Sequence, residues 1–157
     1  MKIQWKKLLA CLAIPLAVGG LSALLSGGMG NYSDFLQPPL SPPGWAFPVV
    51  WTVLYLLMGY ASYRILVSDA PREQVRKALL FYGIQLGLNF LWSPIFFGLG
   101  WYLAAFILLL GLWVMIYLTM KLFAGIDETA SDLLLPYLLW VTFAGYLNLG
   151  VYLLNRG

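Results

Sequence analysis

The hydrophobic residues of this chain fall into five long runs, separated by short polar or Gly- and Pro-rich segments. Each run approaches the roughly 20 residues that a helix needs to cross ~30 Å of hydrocarbon. The runs cover residues 8–25, 45–67, 78–97, 101–122 and 133–154. The pattern predicts an all-α integral membrane protein, a five-transmembrane-helix bundle, and no linker or repeat divides its single domain of 157 residues.

Composition supports a bilayer environment, because 62% of the residues are hydrophobic and only 10% are charged, whereas a soluble domain carries about a quarter charged residues. Aromatic residues make up 17% of the chain, more than interfacial belts need, so some rings are expected to line a site. The chain has no histidine and one cysteine, which excludes a Cys/His metal site and a histidine general base.

The basic residues predict the orientation of the helices. With five spans, eight of the nine cations fall on one side, and the positive-inside rule makes that side the cytoplasm. They are Lys2, Lys6, Lys7, Arg64, Arg72, Arg76, Lys77 and Lys121. We therefore interpret the net charge of +3 as a topology signal and not as a nucleic-acid footprint. The N-terminus is predicted to be cytoplasmic, and its lack of an Arg- and Ser-rich transit sequence favours a bacterial cytoplasmic membrane.

The segment 27–44 is the longest predicted connection and is rich in Gly, Pro and polar residues. A loop of this length is often functional, and we interpret it as a lid on the non-cytoplasmic side.

Neutral polar residues are the candidates for chemistry inside the bundle, because the spans bury no acidic or basic group of the kind that proton relays and ion-driven pumps use. Gln85 and Asn89 are four residues apart on the third helix, and Tyr82 and Trp92 lie close to the same stripe. One interpretation is a ligand-binding face. The alternative is that the two amides only bond to neighbouring helices.

Two other helices carry matching faces. Trp51 and Tyr55 share one face of the second helix, while Trp140, Ala144 and Asn148 share one face of the last. If the three faces point inward, they enclose an apolar, ring-lined cavity with a few amides, as suits a flat hydrophobic ligand. A separate pair, Gly83 and Gly87, predicts close helix packing either within the bundle or in a dimer.

Nearly the whole chain resembles the TspO/MBR family, which comprises tryptophan-rich sensory proteins and mitochondrial translocator proteins, also called peripheral-type benzodiazepine receptors. The segments that carry the resemblance are PPLSPPGWAFPVVWTVLYLLMGYASY, FYGIQLGLNFLWSPIFFG and LLPYLLWVTFAGYLNL. The resemblance implies a five-helix bundle, often a homodimer, that binds porphyrins such as protoporphyrin IX between its helices under the loop after helix one. No covalently bound cofactor is expected.

The resemblance also places family pocket residues on this chain. The pocket tryptophans fall on Trp51 and Trp140, the asparagine on Asn89, the small residue on Ala144 and a loop tyrosine on Tyr32. The full set of predicted ligand-binding residues is Tyr32, Trp51, Tyr55, Gln85, Asn89, Trp140, Ala144 and Asn148. The cholesterol motif of animal members maps only loosely, because Leu149 and Gly150 occupy positions that are aromatic there.

Four functional hypotheses follow. The leading one is a binding or sensory protein for porphyrins and similar flat ligands. The second is a light-dependent enzyme that degrades protoporphyrin, with Trp51 and Trp140 as oxidisable rings beside the bound photosensitiser. The third is a transporter of tetrapyrroles or other lipophiles, and the fourth is a membrane scaffold that dimerises through Gly83 and Gly87.

Overall fold

The computed structural model describes residues 2–26 and 38–155, which form helices and contain no strand. Five of these stretches are long and apolar enough to cross a membrane, which confirms the predicted five-helix membrane bundle. The helices are α1 Trp5–Leu25, α2 Ala46–Leu66, α3 Arg72–Ser93, α4 Tyr102–Ala124, α5 Glu128–Leu133 and α6 Leu135–Asn155. A π-helical turn, Pro94–Gly98, extends α3, and α5 together with α6 makes the fifth span.

The helices pack so that α4 lies against both α3 and α6, while α1 lies mainly against α2. The start of α1 meets the end of α2, where the backbone N–H of Gln4 donates to the Tyr63 hydroxyl at 2.9 Å. The end of α2 meets the start of α5 through the Arg64–Asp127 ion pair at 2.8 Å. We call this end of the bundle, formed by residues 2–7, 64–77 and 121–132, the basic end. It carries all eight cations that the sequence placed on one side, and its assignment to the cytoplasm stays a prediction.

Helix α3 begins at Arg72, six residues before the predicted start of the third span. The sequence placed these charged residues in a loop. They form helix because Pro71 caps the first turn, with its carbonyl accepting from the Gln74 and Val75 amides. Val75 and Ala78 are buried on the inner side of the two added turns, so the charged residues project outward from an otherwise ordinary amphipathic start.

The fifth span also begins earlier than the predicted residue 133, and it is broken near its start. The Asp127 side chain caps α5 by accepting from the Thr129 and Ala130 amides. Helix α5 ends after Leu133, and α6 follows with Pro136 in its first turn. Proline lacks the amide hydrogen that would bond to the carbonyl four residues earlier, which explains why the two segments are separate helices.

Helices α1 and α2 approach closely at Gly59. A Cβ atom at this position would lie 2.5 Å from the Cys11 carbonyl oxygen and 2.8 Å from the Leu12 Cα. Both are backbone atoms of α1, which cannot move aside as a flexible side chain would. Gly59 therefore sets the distance between the two helices, by the close packing that small residues allow in membranes.

We expect Gly59→Ala to destabilise the bundle by about 1–3 kcal/mol, the usual cost of overpacking, because the added methyl group pushes α1 away from α2. The measurement is unfolding in mixed micelles followed by circular dichroism. Gly111→Ala on α4 is the matched control, since a Cβ there meets nothing within 4 Å and the substitution should be neutral or slightly stabilising. Equal stability of the two variants would contradict the assigned contact.

Candidate functional site

A cavity of about 300 Å³ lies between α1, α2 and the end of α3. Its walls are mostly apolar and aromatic, with a few hydroxyl groups and one amide. The lining residues are Leu16, Gly19, Gly20, Ser22, Ala23, Phe47, Pro48, Trp51, Thr52, Tyr55, Asn89, Trp92, Ser93 and Phe97. Several of them, including Gly20 and Ala23 on α1 and Thr52 on α2, are exposed on the outer surface of the bundle. The cavity therefore opens sideways between α1 and α2.

Two stacked rings of α2 form one wall. Trp51 and Tyr55 stack with centroids 5.5 Å apart and an interplanar angle of 27°. The Tyr55 ring lies directly against Gly19 of α1, where any Cβ atom would overlap it. Glycine at this position therefore allows the tyrosine to lie flat between α1 and α2, with its hydroxyl pointing to α3.

A chain of hydrogen bonds runs behind this wall from α2 through α3 to α6. The Tyr55 hydroxyl donates to Asn89 Oδ1 at 2.9 Å, and Asn89 Nδ2 donates to the Tyr137 hydroxyl at 2.7 Å. The Tyr137 hydroxyl in turn donates to Gln85 Oε1 at 2.6 Å. All four side chains are buried. The chain gives each of these four side chains a partner where the bilayer offers none, although Gln85 Nε2 stays unbonded among the described residues. It also holds the Asn89 amide at the cavity wall.

On the opposite wall, α1 is hydrogen-bonded to α3 one turn before Pro94. Pro94 has no amide hydrogen to give to the Phe90 carbonyl, one turn earlier. Ser22 of α1 supplies the missing donor, with its hydroxyl 2.8 Å from the Phe90 oxygen. The Ser26 hydroxyl then contacts that of Ser93 at 2.8 Å. The carbonyl that Pro94 leaves without its helical donor thus accepts the bond that joins α1 to α3 beside the cavity.

Comparison with known proteins bears on this arrangement. A model of the TspO/MBR family matches residues 11–154. The tryptophan-rich protein TspO of Chlorobaculum tepidum is 38% identical over 157 residues, covering 99% of each chain. The tryptophan-rich sensory protein of Cereibacter sphaeroides is 37% identical, covering 99% of this chain and 95% of its own. The translocator protein of Bos taurus is 36% identical, covering 94% and 89%.

The chain belongs to the TspO/MBR family. This confirms the resemblance stated from the sequence and, together with the five spans, identifies an integral membrane protein.

The predicted site residues of this TspO/MBR member occupy three environments. Trp51, Tyr55 and Asn89 line the cavity. Gln85 lies behind it, 1% exposed, in the hydrogen-bond chain. The three residues predicted on the last helix, Trp140, Ala144 and Asn148, do not line this cavity. Tyr32 lies outside the described residues.

The last-helix residues are placed by packing against α2, α3 and α4. Trp140 meets Trp51 edge to face, with centroids 6.5 Å apart, and lines a separate groove between α2 and α6. Ala144 is 3% exposed in the core. Asn148 accepts from the Trp92 indole at 2.9 Å and donates to the Tyr102 carbonyl at 2.8 Å. Asn148 therefore bonds to neighbouring helices, which is the role that the sequence analysis gave as the alternative for Gln85 and Asn89.

Trp140 retains an unused donor. Its indole Nε1 is buried and has no hydrogen-bond partner among the described residues, and the same is true of Gln85 Nε2. Buried donors nearly always bond to protein, water or ligand. Two such groups near the Trp51 wall are therefore available to an acceptor that enters the bundle.

The structure describes the last part of the predicted lid, from Pro38 onward. Residues 27–37 of the loop lie outside the described part, but Pro38 packs against Gly150, where a Cβ would come within 2.6 Å of it. The Tyr146 hydroxyl donates to the Pro39 carbonyl at 2.5 Å. The chain entering α2 is thus attached to the far end of α6, and Gly150 leaves the space that Pro38 occupies.

Sequence reasoning did not select Gly19, Ser22 or Tyr137. Tyr137 precedes Trp140 by three residues and Ala144 by seven, so the helical stripe could have indicated it. The small residues of α1, in the stretch VGGLSA, were the available signal for a wall that a ligand or a ring approaches closely.

We expect a double-mutant cycle to show energetic coupling between Ser22 and Pro94. Ser22→Ala should cost about 1 kcal/mol, near the usual worth of an interhelical hydrogen bond in membranes, because the Phe90 carbonyl loses its donor. Pro94→Ala restores the amide hydrogen at position 94, so Ser22→Ala should cost much less in that background. Stability is measured by unfolding in mixed micelles.

Ser68→Ala serves as the control, since the Ser68 hydroxyl donates to the Ile65 carbonyl of its own turn and joins no second helix within the described ranges. Strict additivity of Ser22→Ala and Pro94→Ala would contradict the link.

Proposed function

We propose that this TspO/MBR member is a membrane-embedded binding or sensory protein for porphyrins of the protoporphyrin IX type and for similar flat hydrophobic ligands. The observation that carries the proposal is the cavity whose wall is the stacked pair of Trp51 and Tyr55. Aromatic faces favour offset stacking with other flat rings, so this wall suits a planar macrocycle. The name of the relative from Cereibacter sphaeroides, tryptophan-rich sensory protein, agrees with a sensory role.

The polar groups near the wall suit a ligand that carries acceptors on its edge. The Asn89 amide lines the cavity, and the unused donor of Trp140 belongs to a ring in edge-to-face contact with Trp51. Propionate or carbonyl oxygens of a tetrapyrrole could accept from such groups. Small-molecule sites usually combine an apolar lining with a small number of placed donors.

The sideways opening allows the site to accept a ligand that is larger than the cavity itself, such as a macrocycle. The enclosed volume of about 300 Å³ is at the lower end of the range for small-molecule sites. Gly20 has no side chain and Ala23 has only a methyl group, so α1 does not fill the gap between α1 and α2 at these positions. A ligand can therefore extend from the cavity into this gap. A hydrophobic ligand dissolved in the bilayer faces this opening directly.

Light-dependent degradation and transport are further hypotheses for the same cavity. Degradation would place the photosensitiser against Trp51, with Trp140 in contact behind it. No acidic or basic side chain of the described residues lines the cavity, and its one titratable group is the Tyr55 phenol, whose hydroxyl is already bonded to Asn89, so acid–base chemistry there would depend largely on the ligand itself. We therefore propose binding as the primary function.

We also propose a homodimer formed through α3. Gly83 and Gly87 are exposed, and a Cβ at either position meets nothing within 4 Å. The two glycines therefore do not serve packing within the described bundle. Exposed Leu80, Ile84 and Leu91 flank them, which makes a small-xxx-small surface that a second copy could approach.

The binding proposal is tested by titrating protoporphyrin IX into the detergent-solubilised protein and following the shift of its Soret band. This signal comes from the ligand, so removing a tryptophan does not by itself change it. We expect Trp51→Phe to weaken binding by about tenfold, or ~1.4 kcal/mol, because it shortens the stacking wall. Gly20→Leu should weaken binding at least as much by filling the opening.

The matched controls are Trp113→Phe and Gly111→Leu on α4, which do not touch the cavity and should bind like the unmodified protein. If both cavity variants fold and bind normally, the cavity is not the porphyrin site. Illumination of the bound complex adds a second measurement: a product that denatured protein does not yield would support degradation.

The dimer proposal predicts that Gly83→Leu will convert the protein to monomers, because a large side chain holds the two α3 helices apart. Molar mass in detergent, measured by light scattering after size exclusion, checks this. Gly111→Leu should leave the mass unchanged. A monomeric unmodified protein, or a dimer that survives both Gly83→Leu and Gly87→Leu, would rule out this interface.

A further inference from the structure

A second cavity, of about 480 Å³, lies at the basic end of the bundle, remote from the Trp51 wall. It is enclosed by the segment that precedes α1, the last turns of α2 with the loop that follows, and the loop before α5. The lining residues are Lys2, Ile3, Tyr60, Tyr63, Arg64, Val67, Ser68, Asp69, Ile126 and Asp127. The exposed Trp5, 63% accessible in the next turn of the chain, marks this level as the membrane–water interface.

The walls of this cavity are held in place by specific bonds. The Gln4 amide donates to the Tyr63 hydroxyl at 2.9 Å, which ties the N-terminal segment to α2. Arg64 Nε donates to Asp127 Oδ2 at 2.8 Å, while Asp127 Oδ1 caps α5. The Tyr60 and Tyr63 rings stack at 6.2 Å. The cavity is thus a built feature of three chain segments and not a gap between loose side chains.

Four charged side chains line the cavity, of which two form an ion pair with each other and two do not form a salt bridge among the described residues. Arg64 and Asp127 form an ion pair, and Arg64 also contacts the Tyr60 hydroxyl at 3.3 Å. Lys2 and Asp69 line the same cavity, yet neither forms a salt bridge within residues 2–26 and 38–155. One cation and one anion are therefore available, beside an apolar floor that includes Ile3, Val67 and Ile126.

We propose that this cavity binds an aminoethyl phosphate group, as carried by the head group of a phosphatidylethanolamine. Lys2 and the free edge of the Arg64 guanidinium face the phosphate, and the Asp69 carboxylate receives the primary ammonium. The apolar floor lies where the glycerol and the first methylenes of the lipid chains would follow. Charge-assisted hydrogen bonds of this kind are the strong ones.

Charge matching separates this ligand from other lipids. A purely anionic head group would satisfy Lys2 but leave Asp69 beside a negative charge, and a cationic amphiphile would do the reverse. A choline head group has the right charges, but its ammonium has no hydrogen to donate to Asp69. A zwitterion whose ammonium carries hydrogens, such as ethanolamine phosphate, pairs both Lys2 and Asp69, which offsets the cost of removing these charges from water.

The experiment uses the full chain in detergent and native mass spectrometry with short-chain lipids. Phosphatidylethanolamine should bind about tenfold more tightly than phosphatidylcholine or phosphatidylglycerol, the ratio expected for one hydrogen bond to a charged group. Asp69→Asn should reduce the ethanolamine lipid to the level of the choline lipid. Lys2→Gln should weaken both zwitterionic lipids.

The matched controls are Asp132→Asn and Lys6→Gln, which change exposed charges of the same sign at the same end but outside the cavity. They should preserve the preference. Equal binding of the three lipids, or an ethanolamine preference that survives Asp69→Asn, would overturn the proposal.

A parallel titration with soluble O-phosphoethanolamine identifies the source of the ligand. Binding of the lipid alone supports a bilayer lipid, and equal binding of the soluble compound supports the same recognition group on a water-soluble ligand. None of these readouts depends on porphyrin binding, so the two proposals can fail separately.

Discussion

Inside a bilayer, a buried polar group must find its partner within the protein, because the hydrocarbon supplies none. The architecture of this bundle depends on that constraint. Gln85, Asn89 and Asn148 are at most 4% exposed, and each is bonded to a side chain on another helix. Tyr137 is central, because its hydroxyl accepts from one amide and donates to the next. These bonds orient α2, α3 and α6 in a way that apolar packing alone, which is similar against lipid and against protein, would not.

The same constraint shapes the candidate ligand site. The Ser22 hydroxyl compensates the Phe90 carbonyl that Pro94 leaves without a donor, and this bond closes the wall between α1 and α3. The hydrogen-bond chain behind Trp51 and Tyr55 satisfies most of the amide groups, so specificity for a ligand must come largely from ring contact and shape. Among the buried amides and indoles of residues 2–26 and 38–155, Trp140 Nε1 and Gln85 Nε2 lack a partner, and a ligand acceptor could bond to them.

The basic end follows a different rule, because water is close and ions can be solvated there. Its cavity is lined by four charged residues, of which Arg64 and Asp127 pair with each other, whereas none of the described residues that line the cavity at Trp51 is charged. The protein thus presents two chemically distinct concavities at different depths. One suits a flat apolar molecule and the other an amphiphile at the interface, so occupancy of each can vary independently.

The sequence alone predicted the five spans and the end at which the cations gather, because the spans are runs of residues whose free energy of insertion adds along the chain and the cations lie between those runs. It also indicated Trp51, Tyr55 and Asn89 as cavity residues, since helical spacing puts them on inward faces. It placed the start of α3 six residues late, because Arg72, Arg76 and Lys77 are charged like loop residues. The sequence does not show that Val75 and Ala78, on the same turns, are buried. Other features follow from contacts between helices: α1 supplies a cavity wall, Asn148 is bonded to Trp92 and Tyr102, and Gly83 and Gly87 face outward. Periodicity shows which residues share a face, but which helix that face meets depends on contacts between residues far apart in the chain.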